Sequence, residues 1–90
     1  MKRYVIERDV PGVGAMKPEQ RKAAAAKSNA ALAELSGRAV WVESYVAADK
    51  TFCIYLADDE AAIHDHARIS GFPASKVTEI VNMLEPATAE

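Results

Sequence analysis

The chain has 90 residues, half of them apolar, which suits one compact domain with a modest core and is too short for two independent ones. Its 11 basic and 13 acidic side chains are interspersed and leave a formal charge of -2, so no cationic field exists to hold a polyanion, and nucleic acid is not an expected partner. Glu7, Arg8 and Asp9 interrupt the first apolar run too early for a signal peptide or a membrane span, and the single Cys53 cannot pair within the chain; a cytoplasmic protein with no membrane association is expected.

Residues 3–9, RYVIERD, are rich in β-branched and aromatic side chains and stop at VPGVG, which reads as a strand and a turn. The glycines of that turn are not followed by Gly-Lys-Ser or Gly-Lys-Thr and miss the dinucleotide spacing, so no phosphate loop is expected. Pro18 at a first helical position opens an alanine-rich helix that Gly37 stops. Its inner stripe, Ala24, Ser28, Ala31 and Leu35 with Leu32 alongside, is mostly small, which permits close approach to a sheet.

Residues 38–47 and 51–57 read as an antiparallel hairpin. Simple alternation puts Val40, Val42, Ser44 and Val46 on one face of the first strand and Trp41, Glu43 and Tyr45 on the other. In the second strand Phe52, Ile54 and Leu56 oppose Cys53 and Tyr55. The acids before Ala61 suit a helix N-terminus, and Gly71 with Pro73 beyond it closes a second helix. Residues 76–84 read as a fourth strand, giving one domain over 1–85 and a flexible tail over 86–90.

The order strand, helix, strand, strand, helix, strand points to an α+β, ferredoxin-like βαββαβ fold, a four-stranded antiparallel sheet with both helices on one face. The other face would carry Trp41, Tyr45 and Tyr55, too apolar to stay wetted, so a homodimer through the open sheet face is expected.

Both histidines lie in AIHDHARISGFP. At about 100 degrees per residue, His66 falls in the middle of the apolar stripe of Ala62, Ile63, Ile69 and Ser70, while His64 falls near Glu60 and Arg68. The pair therefore does not converge as an i, i+4 zinc clamp does. Imidazole is nonetheless the preferred nitrogen donor of first-row metals, which makes His66 the first metal candidate, with His64 and Glu60 as partners and Asp65 or Cys53 as further donors. The plain alternative for His66 is a buried histidine bonded to a backbone carbonyl or a sheet hydroxyl; for His64 it is a solvated side chain. A second constellation, Trp41, Glu43, Tyr45, Cys53 and Tyr55 on the open face, suits a small-molecule ligand or an enzyme pocket. No nucleophile triad or paired carboxylate marks a hydrolase, so catalysis is not expected, and a purely structural dimeric module is the third reading.

Taken together, YVIERDVPGVG, WVESYV, FCIYLADDEAAIHDHARISGFPASKV and EPATAE resemble a small bacterial family of proteins of unknown function, some of whose members are described as nickel-binding. The resemblance spans nearly the whole chain and is most specific in HARISGFPASKV. It implies a ferredoxin-like dimer and a divalent transition metal, nickel in particular, with His66 and Cys53 standing at positions that match the family pattern.

Overall fold

Proline fixes φ and lacks an N–H, both harmless in a first helical turn, and Pro18 starts a helix where the Lys17 N–H donates to Gln20 Oε1 at 2.8 Å. Asp59 caps the second helix by accepting from the Ala62 N–H at 3.0 Å. Gly71 ends it in the left-handed region, φ +80, with its N–H on the Ala67 carbonyl at 2.9 Å. The computed structural model describes residues 1–90. It contains β1 (Lys2–Asp9), α1 (Pro18–Glu34), β2 (Ala39–Val46), β3 (Lys50–Ala57), α2 (Glu60–Ser70) and β4 (Lys76–Ile80), with short 3-10 turns at Val13–Ala15 and Pro86–Ala89. The four strands form one antiparallel sheet in the order β2-β3-β1-β4, the ferredoxin-like arrangement with two helices. No helix is long and apolar enough to cross a membrane.

Burial alternates along β1 and β3 with the period of two that a half-covered sheet requires. Tyr4, Ile6 and Arg8 of β1 and Thr51, Cys53, Tyr55 and Ala57 of β3 are buried, and the core joins most of them to Leu35, Ala62 and Ile63. Cys53 and Tyr55 therefore lie beneath the helices, opposite to the expected open face. The half-buried Phe52, Ile54 and Leu56 take the open face instead. Small residues on α1, buried Ser28 and Ala31 among them, leave room for the large aromatic ring of Tyr55 on the covered side.

β2 departs from simple alternation. Trp41 pairs with Tyr55 but Glu43 pairs with Ile54, so Val42 is an extra residue in a bulge and the phase of the strand changes there. Ala39, Trp41, Ser44 and Val46 share the side of Cys53 and Tyr55, while Val40, Glu43 and Tyr45 share the side of Ile54. The expected set of Trp41, Glu43, Tyr45, Cys53 and Tyr55 is thus divided between the two faces, and only Glu43 and Tyr45 lie on the open one.

β4 is shorter than expected. Ile80 pairs with Arg3, so β1 has almost no strand left to pair with anything further, and Val81, Met83 and Leu84 extend into solvent. The turn after β1 docks on the β2–β3 hairpin: Gly14 N–H donates to the Ala48 carbonyl at 2.9 Å, and Gly12 N–H to Asp49 Oδ1 at 2.8 Å.

Candidate functional site

Small side chains on both α1 and the sheet below it leave a space. Ala24 and Ala25 of α1 stand over Ser44, Thr51 and Cys53, and the result is a cavity of about 340 Å³. Met16, Val13 and Trp41 supply much of its apolar wall, and Phe72, just past α2, contributes another aromatic surface. Its polar contributions come from Arg8, Ser28, Ser44, Thr51 and Tyr55, with Arg21 joining from one turn before Ala25 on α1; no aspartate or glutamate lines it.

Arg8, Ser28, Tyr55 and His66 converge from four different elements. Arg8 is 4% exposed and His66 is 0% exposed. Arg8 Nη1 donates to the Pro73 carbonyl at 2.8 Å, and Nη2 lies 3.5 Å from His66 Nδ1. A guanidinium has no acceptor to offer, so Nδ1 is the acceptor and the proton of the neutral ring sits on Nε2. Nε2–H then donates to Ser28 Oγ at 3.1 Å, and Ser28 Oγ and Tyr55 Oη share a bond of 2.9 Å. Burial, and then the guanidinium charge of Arg8, hold His66 below the ordinary histidine value of 6.5. Burial likewise pushes the Tyr55 phenol up from 10.0, although its bond with Ser28 and the charge of Arg8 act in the opposite sense. The cluster consequently offers a fixed cation and neutral hydroxyls to the cavity, with His66 behind them.

These neighbours do not fit a metal at His66. Both ring nitrogens are engaged, a guanidinium faces one of them, and no group of three or more histidine, cysteine, aspartate or glutamate side chains is placed to hold an ion anywhere in the chain. Cys53 is buried, with its sulfur 3.6 Å from Thr51 Oγ1. Asp65 is already committed: Arg38 Nη1 donates to its Oδ2 at 2.9 Å, and that bond keeps its carboxyl below the usual carboxylate range. His64 and Glu60 are different. They are exposed one turn apart on α2, with Nε2 3.2 Å from Oε2, and form a two-donor pair facing solvent.

Glu43 and Tyr45 also meet each other rather than a pocket, the phenol donating to Glu43 Oε2 on the exposed sheet face; that bond raises the phenol above 10.0. Trp41 does reach the cavity, stacked on Tyr55 with ring centroids 6.4 Å apart. Arg8 is the site residue that motif spacing passes over. Strand parity marks it, because a charged residue follows Tyr4 and Ile6 on the same face of β1.

No curated protein matches the chain. The crystal structure of SCO4226 from Streptomyces coelicolor A3(2) is similar in fold, with a TM-score of 0.75 at 13% identity over 91% of this chain and 99% of that one. The family described as nickel responsive protein SCO4226-like matches residues 4–80. With that match reaching all four strands and both helices, the chain belongs to the SCO4226-like family of nickel-responsive proteins.

Proposed function

We propose that the chain is a homodimeric, nickel-responsive binding protein whose metal contact is made at the surface of α2 by His64 and Glu60. The observation that carries this reading is the His64–Glu60 pair itself: an imidazole nitrogen and a carboxylate oxygen 3.2 Å apart, both exposed. Imidazole favours nickel over manganese, iron and cobalt at the same donors. His66 is a structural member of the core in this reading, for the reasons of charge and burial given above.

The dimer is supported by the open sheet face, where Val5, Phe52, Ile54 and Leu56 are only half-buried and Val40 and Tyr45 are 46% and 58% exposed. A sheet-to-sheet dimer keeps both α2 helices on its outer sides. The two His64–Glu60 pairs then remain apart, each completes its shell with water, and each chain binds one ion with modest affinity.

The test is nickel titration calorimetry on tag-free protein together with its solution mass. One nickel per chain, lost in His64→Ala and retained in His66→Gln, is the expected result. Nickel binding unchanged in His64→Ala overturns the assignment, and a monomeric mass overturns the dimer.

A further inference from the structure

Arg8 is buried in a wall that contains no carboxylate. Its charge meets the Pro73 carbonyl, a neutral imidazole, and the rings of Tyr55 and Phe72, each with its centroid 6.0 Å from the guanidinium carbon. No aspartate or glutamate comes within ion-pair distance of it, although the chain forms six such pairs elsewhere. A buried guanidinium is costly unless an anion or several acceptors face it, and its planar fork suits a carboxylate above other partners.

We propose that the cavity beneath α1 binds a small organic monocarboxylate, its carboxylate on Arg8 and its apolar body against Trp41 and Met16. The volume, about 340 Å³, lies at the small end of ligand pockets and excludes large cofactors. The wall chemistry selects the ligand in two ways. A cation or a polyol finds no acid and few acceptors there, whereas an inorganic anion satisfies Arg8 but leaves the apolar wall wet. An aromatic or short aliphatic acid satisfies both. Tyr55 Oη and Ser28 Oγ supply further hydroxyls near the carboxylate end, and their link to His66 Nε2 keeps them oriented. Arg21, exposed on α1 with Nη1 on the Met16 carbonyl at 3.0 Å, adds positive charge for an approaching anion. This site is separate from the His64–Glu60 pair, which faces solvent on α2.

The only tryptophan of the chain, Trp41, lines the cavity, so its fluorescence reports occupancy directly. Tag-free protein with a chelator present, which removes any metal contribution, is titrated with phenylacetate, benzoate and hexanoate, and in parallel with phenylacetamide and acetate. The expected result is a saturable change with at least one of the three acids, with binding of phenylacetate about tenfold or more tighter than that of phenylacetamide, and tighter than that of acetate. Arg8→Lys, which keeps the charge but removes the fork, narrows the preference for the acid over the amide. Ala25→Phe, which fills the cavity while leaving the Arg8 side chain in place, abolishes binding of all probes while the circular dichroism spectrum is retained. Equal binding of phenylacetate and phenylacetamide overturns the role of Arg8. Failure of all three acids to bind the wild-type protein, or undiminished binding in folded Ala25→Phe, overturns the site.

Discussion

Arg8 Nη2 lies 3.5 Å from His66 Nδ1, so a permanent cation from β1 faces the one ring nitrogen of a fully buried histidine on α2 that is free to take a proton. The contact determines the tautomer, and through the tautomer the direction of the hydrogen bonds to Ser28 and Tyr55.

It also sets a pH dependence. His66 is held below 6.5 in the folded chain, so as pH falls through that value the unfolded chain takes up a proton that the native chain refuses. Stability contributed by the neutral ring is therefore full above about pH 7 and is lost as the solution is acidified towards the depressed folded value. Urea midpoints should fall between pH 7.5 and 5.5, and His66→Gln, though less stable at the higher pH, should fall less. An equal decline in both proteins removes His66 as its origin.

Ser28→Ala deletes the acceptor of His66 Nε2–H and the partner of Tyr55 Oη together, leaving the more distant Tyr55 Oη, 3.5 Å from Nε2, as a poor substitute. A cost of about 1–3 kcal/mol is expected from chemical denaturation. Tyr55→Phe should cost less, because Ser28 keeps His66, and the double variant should fall short of the sum because both changes act on one network.

Gly14→Ala tests the docking of the turn after β1. A Cβ at that position would stand 2.7 Å from the Ala47 carbonyl oxygen and 2.8 Å from Ala48 Cα, both backbone atoms that cannot swing aside. The hairpin must move to admit the methyl group, at about 1–3 kcal/mol, read as a lowered urea midpoint. An unchanged midpoint shows that the hairpin yields freely.

Ile54→Lys tests the open face. Ile54 lies mid-strand between Val5 and Glu43, half-buried and away from the helices, so the charge is tolerated by a folded monomer but not between two facing sheets. Light scattering should report the mass of a single chain with the circular dichroism spectrum preserved. A dimer that survives the substitution is built on another surface.

Much of the fold is legible in local pattern. Pro18, Asp59 and Gly71 mark helix ends because caps are properties of one or two residues and their own backbone. The 3.6-residue period places His66 and Ser28 on inner stripes, and both are buried. The plain reading of His66, a buried histidine bonded to a backbone carbonyl or a sheet hydroxyl, agrees with its burial, but the hydroxyl it meets at 3.1 Å is Ser28 Oγ on α1, with Tyr55 Oη of the sheet farther off at 3.5 Å.

What the sequence determined by itself is the order of elements, the helix caps at Pro18, Asp59 and Gly71 and the inner stripes of the helices, all of which depend on neighbours a few residues away. Which side of the sheet the helices cover was decided only in three dimensions. Alternation separates Cys53 and Tyr55 from Phe52, Ile54 and Leu56, but either set can be inside, and only packing against the small residues of α1 places Cys53 and Tyr55 there. The bulge at Val42 divides Trp41 from Glu43 and Tyr45 through a change of strand phase that has no compositional signal. The cluster itself joins Arg8 to His66 across 58 positions of sequence, because β1 and α2 meet only when the sheet and its helical layer pack together.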